Sequence, residues 1–340
     1  MTSRRQFLWQ SALAATVVTT PAWADALSNG VARRLSVAET LVFPEWLAAM
    51  GSAARNGNSG DRAFWNALQS ALATIDVGNA PGGEFNLLTL AAPGIEPFVL
   101  DTARELASIG NDRLAERVRS SRGQLGGLAT VVATDPAAIR EAERAIKDLK
   151  LSGLALGINR GMNVHDTALW PLYAYAEQAG VPIYLPAAYG AIAGDAPYRA
   201  LGTAGVISGA AADSGRHATQ LIFGGVLDAF PKLRVVLARL GEGTPYWYGE
   251  MVGTYDALKE AGRALPERTA DQYFQHNILL TTADMESRQT LQFCEAMLGT
   301  GRVLSAEGPS DAGARLASLG VEHDLRRLTS VDTSKLLSRV

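Results

Sequence analysis

Arg239, Glu242 and Glu307 stand at the ends of short apolar runs, where a folded enzyme concentrates its chemistry. Two carboxylates and a guanidinium brought together shift one another's ionisation, which is the condition for general acid–base work. The planar fork of an arginine also grips a carboxylate through two parallel hydrogen bonds, so the set suits a carboxylated substrate. Thr40, Tyr189 and Trp247 are the polar and aromatic residues placed to help hold such a compound. Trp170, Tyr184 and Tyr246 either join them around an aromatic or unsaturated ligand or serve as packing.

Other chemistries find less support. The four histidines, His165, His217, His276 and His323, are scattered without ligand-like spacing. His217 is expected to begin a helix, and His276 to lie before the seventh strand, away from the chemistry. A single cysteine, Cys294, excludes an internal disulfide or a Cys-rich metal site. It shares a helical stretch with Leu291 and Met297 and is expected in the core. Ser305 and Ser310 lie near Glu307 with no histidine placed to activate them. G-x-S-x-G, P-loop and strand–GxGxxG–helix patterns are all missing. The 31 basic and 34 acidic residues give a net charge of −3 with no run of one sign, which argues against a nucleic-acid partner. At 47% hydrophobic and 19% charged residues, the 340-residue chain is neither disordered nor a coiled coil.

These residues need a scaffold, and the hydrophobic pattern supplies one. Strands are expected at Leu35–Val37, Asn86–Leu90, Leu128–Val132, Gly153–Leu156, Pro182–Leu185, Arg234–Ala238, Ile278–Thr281 and Arg302–Ser305. Amphipathic helical stretches lie between them, among them Ala137–Leu149, Thr167–Ala179, His217–Phe230 and Arg288–Leu298. Strands alternating with helices pair in parallel, and a count of eight predicts an α/β fold, a single (β/α)8 TIM barrel. Its chemistry would sit in the stretches after the strands: Ala38–Phe43, Ala91–Ile95, Pro186–Tyr189, Arg239–Thr244 and Ala306–Asp311. A long Gly/Ala-rich loop, Ala187 to Gly215, follows the fifth strand, either as a cover over the mouth or as a surface excursion. Asp311 reads as a helix cap.

Residues 1–24 read as an address rather than as fold. Arg4 and Arg5 precede an apolar stretch from Phe7 to Val18, and Ala22-Trp23-Ala24 offers a small-x-small cleavage site. The stretch is too short to span a bilayer, so no stable membrane anchor is expected. Ser3-Arg4-Arg5-Gln6-Phe7-Leu8 resembles a twin-arginine export signal, which implies folding inside the cell and release to the periplasm. Without its two arginines the mature chain has 29 basic against 34 acidic residues, net −5. The barrel domain is then 25–340.

The segment from Asp166 to Leu185, DTALWPLYAYAEQAGVPIYL, resembles the fourth-helix-to-fifth-strand region of the amidohydrolase-related family. That family includes aminocarboxymuconate semialdehyde, γ-resorcylate and dihydroxybenzoate decarboxylases. Residues 224–238, GGVLDAFPKLRVVLA, resemble its sixth helix and strand. Ala91–Gly94, Asn111-Asp112, Gly241–Trp247 and Tyr273–Thr282 fit as well. The likeness runs from about Arg34 to the C-terminus and implies a (β/α)8 barrel, often dimeric.

The resemblance also implies a divalent metal, and the residues for it are substituted. Where the family's first strand ends in His-x-His or Glu-x-His, this chain has Ala38-Glu39-Thr40. Glu39, the middle residue, is expected by strand alternation to point away from the pocket. Pro186 stands at the fifth-strand ligand histidine, and Arg239 at the histidine after the sixth strand. Glu307-Gly308-Pro309 is the nearest match to the eighth-strand Asp before a Pro. Glu242 matches a Glu that supports the missing histidine. One carboxylate is not a metal site, so no metal or other cofactor is expected. Three readings stand. In the first, a metal-independent lyase, isomerase or hydrolase acts on a small carboxylated or aromatic compound, with Arg239 carrying part of the metal's charge and Glu242 and Glu307 as acid–base or orienting groups. In the second, Arg239 and Glu307 form a buried ion pair in a periplasmic protein that binds without turnover. The third is a metal-dependent decarboxylase or hydrolase with relocated ligands.

Overall fold

The structure, a computed structural model, describes residues 34–49, 84–90, 94–96, 98–123, 125–158, 162–186, 210–263, 266–282, 287–298 and 302–304. Among these, eight strands form one parallel sheet in chain order. They are β1 (Arg34–Leu41), β2 (Glu84–Leu90), β3 (Leu125–Thr130), β4 (Gly153–Ala155), β5 (Ile183–Leu185), β6 (Val235–Leu237), β7 (Ile278–Thr281) and β8 (Val303–Leu304). β8 comes back beside β1, with Cα atoms within 8 Å, so the sheet curls into the (β/α)8 barrel that the alternation predicts.

Strand alternation sorts the residues. One inward side chain from each strand, from Val37 of β1 round to Leu304 of β8, forms a separate apolar cluster inside the barrel. Tyr184 of β5 is its largest member and is fully buried. The outward neighbours, such as Leu88, Leu154 and Leu237, join the larger layer beneath the helices. That layer is covered by α1 (44–49), α2 (Leu100–Ser120), α3 (Ala138–Glu143), α4 (Trp170–Ala179), α5 (Ala210–Phe223), α6 (Val226–Ala229), α7 (Thr244–Glu260), α8 (Ala270–His276) and α9 (Arg288–Leu298). Cys294 is buried in α9 beside this core, and burial pushes its thiol up to about 12, so it is packing and not a nucleophile.

Several boundaries differ from the sequence expectation. β1 runs on to Leu41, with a register shift between Glu39 and Leu41, so the first half of the stretch Ala38–Phe43 is strand rather than loop. The helix expected over His217–Phe230 is two helices, because Gly225 takes φ 74° and no right-handed helix continues through that conformation. It also starts earlier, at Ala210, so the last residues of the segment Ala187–Gly215 are helical and His217 lies well inside α5 instead of opening it. The rest of that segment, with Tyr189, the address segment 1–24, and residues 305–340, with Glu307, Ser310 and His323, lie outside the described residues.

Asn111, one of the residues carrying the family likeness, holds α2 to β3. Its side chain donates to the Thr130 carbonyl and accepts from the Thr130 N–H, both at 2.9 Å, and donates to Glu141 at 2.7 Å. It is 1% exposed. Arg144 then bridges Glu141 and Asp112 at 2.8 and 2.6 Å. Asn111→Leu keeps the branched shape and leaves the Thr130 groups without their side-chain partners. We expect it to cost about 2 kcal/mol or more of stability, read from the urea midpoint at unchanged slope.

Candidate functional site

In a barrel of this kind the carboxyl ends of the strands form the reactive mouth. At the exit of β6 the backbone leaves ordinary conformations. Arg239, Leu240, Gly241 and Glu242 have φ values of 53°, 53°, 65° and 50°. For the three that carry a Cβ this costs on the order of 1–3 kcal/mol each, and such strain persists only where surrounding contacts over-determine it. Those contacts are present. The Gly241 N–H donates to the Ala238 carbonyl and the Glu242 N–H to the Arg239 carbonyl, both at 2.9 Å. Leu240 is fully buried, and the Thr244 hydroxyl reaches the Gly215 carbonyl of α5 at 3.4 Å.

The turn presents two of the expected site residues together. Arg239 Nε donates to the Glu242 carboxylate, and the two side chains are only 9% and 17% exposed. Glu242 is thus a carboxylate partner of Arg239. The Arg239–Glu307 pairing and the Thr40 side chain fall outside the described residues. Trp247, in the first turn of α7, lies with its ring against Gly215 and Gly243, where an added Cβ would stand 2.7 Å away. It remains 42% exposed.

The other candidate aromatics are packing or surface. Trp170 meets Phe230 edge-on at 5.4 Å in the helical layer, and Tyr246 is 80% exposed against Phe293. Tyr184 fills the barrel interior below the mouth.

The residue types at the described strand exits do not fit a divalent ion. Pro186, after β5, has no donor, and Arg239, after β6, is a cation. Among the described residues no three His, Cys, Asp or Glu side chains gather around one point. His217 is buried in α5 with Nδ1 unpartnered, and burial pushes it down to about 4, so it is neutral. His165 sits in the turn after β4, and His276 ends α8 just before β7, on the far side from the mouth as expected.

One residue of the mouth was not among the sequence candidates. Glu96 follows β2 one position beyond the stretch Ala91–Ile95. Its carboxyl occupies the space that a Cβ on Gly157 would fill, and a Cβ on Gly94 would overlap it too. Gly157 lies two residues beyond the inward-facing Ala155, so the carboxyl stands at the exit of β4, beside a cavity that Leu100 and Ala103 of α2 also line. Burial pushes it up to about 7 against the N–H groups of Glu96 and Ile95, which favour the charge. The signal in the sequence was a carboxylate two residues past Gly94, in the turn after β2, with a second glycine two residues past an inward strand position.

The comparisons with known proteins agree with this architecture. A family model described as amidohydrolase matches residues 84–292. The chain is 29% identical over 258 residues to γ-resorcylate decarboxylase of Polaromonas sp. (strain JS666), covering 71% of this chain and 78% of that one. It superposes on 5-carboxyvanillate decarboxylase from Sphingomonas paucimobilis with a TM-score of 0.78 at 23% identity, covering 91% of this chain and 99% of that one. Dihydroxybenzoic acid decarboxylase from Polaromonas sp. JS666, solved with manganese and 2-nitroresorcinol, gives 0.73 at 23% identity, with 91% and 98% covered. Both structural likenesses are of fold. The family model spans more than half of the chain, and this protein therefore belongs to the amidohydrolase family.

Proposed function

We propose that this chain is an enzyme acting on a small carboxylated aromatic compound, removing or exchanging its carboxylate without a bound metal. The observation that carries the reading is the strained β6 exit, which fixes the Arg239 cation beside Glu242 at the barrel mouth. A guanidinium held in place selects a carboxylate, and in a site that excludes water its field is stronger than at an open surface. Glu242 holds the guanidinium plane, so the arginine does not have to be ordered when substrate arrives. The relatives support the substrate class, since they are named for decarboxylating resorcylate and carboxyvanillate. Glu307 remains the proposed second carboxylate, and Thr40, Tyr189 and Trp247 the residues around the ring. The address at residues 1–24 places the mature protein in the periplasm in this reading.

Elemental analysis of the purified mature protein should find no stoichiometric zinc or manganese. The protein should release carbon dioxide from γ-resorcylate or 5-carboxyvanillate at a rate that survives chelation. Restoration of a lost activity by manganese would overturn the metal-free reading. Arg239→Met should weaken binding of either acid by tenfold or more, about the worth of one charged hydrogen-bonded contact. Unchanged affinity and turnover in that variant would remove Arg239 from the site. Binding of both acids with no carbon dioxide released would make the protein a binder and not a catalyst.

A further inference from the structure

The carboxyl of Glu96 stands where a side chain at Gly157, just past β4, would otherwise lie. Gly157 is required for it, because any Cβ there would overlap the carboxyl. The Trp46 indole of α1 donates to the Gly94 carbonyl at 2.8 Å and fixes the turn from the other side. Beside the carboxyl is a cavity of about 60 Å³ lined by Glu96, Phe98, Val132, Thr134 and Gly157 among others. That is room for water and too little for an aromatic ring. In the barrel β4 and β6 are separated by β5 alone, so Gly157, against which the Glu96 carboxyl rests, and Arg239 follow the two strands on either side of β5.

The charged groups on the elements around this turn are occupied with one another. Glu45 of α1 meets Arg113 of α2 at 3.0 Å. Arg104 of α2 joins Asp135, after β3, at 2.6 Å, and Asp101 at 3.1 Å. Among the described residues none of them sets the ionisation of Glu96. Burial does, and it favours the form that carries a proton.

We infer that Glu96 is the proton-carrying group of this mouth, delivering a proton to the ring carbon that bears the substrate's carboxylate. The inference rests on the carboxylated-aromatic reading. The Glu96 acid gives its proton to that carbon, and a C–H bond forms from the ring's π electrons. The bond to the carboxylate then breaks, its electron pair restores the aromatic ring, and carbon dioxide leaves. The Glu96 carboxylate recovers a proton from bulk solvent, relayed by water in the adjoining cavity. One solvent proton is consumed for each carbon dioxide released, and no oxidant or reductant is needed.

Proton transfer can be read separately from loss of carbon dioxide. With the mature protein in deuterium oxide, the ring hydrogen between the two hydroxyls of resorcinol should exchange faster than in buffer alone, as followed by proton NMR. Exchange should fall as the pH passes upward through about 7, where Glu96 loses its proton. Glu96→Gln should slow it by about 100-fold or more while resorcinol still binds, the usual worth of a positioned acid. Gly157→Ala, which displaces the carboxyl, should slow it as well. Exchange without decarboxylation of γ-resorcylate would sink the functional reading and leave the Glu96 assignment standing. Decarboxylation with exchange unchanged in Glu96→Gln would overturn the assignment and leave the function. Wild-type protein that fails to accelerate exchange would also overturn the assignment.

Stability supplies an independent readout. Glu96 has its folded value near 7 against an ordinary 4.5, so the folded chain binds more protons than the unfolded chain between those values. Wild-type stability is therefore lost as pH rises through that window, and Glu96→Gln does not share the loss. The melting temperature of the variant should gain on that of the wild type from about pH 4.5 to 7. A constant gap would mean the carboxyl is not buried as described and would overturn the inference.

Discussion

A closed parallel barrel has no edge strand, and its narrow interior must be filled by side chains, so every strand contributes to one shared interior. Here its middle layer is apolar, from Val37 round to Leu304, with Ala155, Tyr184 and Ala238 among its members. The candidate reactive groups stand above that layer, at the strand exits. Arg239 directly follows Ala238, and Gly157 lies two residues past Ala155. The packing of the interior and the location of the chemistry are one constraint.

Two exits carry the features that a purely structural barrel would not need. At β6 three residues with side chains hold left-handed backbone, enclosed by Leu240 packing and by the bond from Thr244 to α5. At β4 a glycine gives up its side-chain space to a carboxyl from the turn after β2. In the first, conformational strain keeps a cation beside its carboxylate. In the second, desolvation raises a carboxyl to about 7. A fixed positive charge and an acid that still holds its proton are the two groups that replacing a carboxylate by hydrogen asks for.

The rigidity behind these exits comes from polar contacts on the outside of the barrel. Asn111 satisfies both backbone groups of Thr130, and Arg104 grips Asp135 through two bonds of 2.6 and 2.7 Å. Both contacts anchor β3 and the loop that walls the Glu96 cavity. Asp135 is held well below the ordinary carboxylate range by the Arg104 guanidinium. The pair therefore stays ionised across the range in which Glu96 titrates, and the wall keeps its charges as Glu96 changes its own.

The sequence by itself determined the barrel. Alternation of short apolar runs with helical stretches located all eight strands, Ile278–Thr281 to the residue, because most of them are apolar on both faces and the pattern is local. It also set Arg239 and Glu242 apart, since both stand in the turn that follows β6. Helix breaks were less legible: Gly225 ends α5 through a φ that a helical periodicity does not reveal. Glu96 was passed over because its meaning depends on Gly157, 61 positions along the chain, which leaves the space its carboxyl fills. Only the tertiary structure decided that Trp170 packs, that Tyr184 fills the interior, and that burial raises the Glu96 carboxyl. Ionisation follows burial, and burial is set by residues that meet across the fold, not by neighbours in the chain.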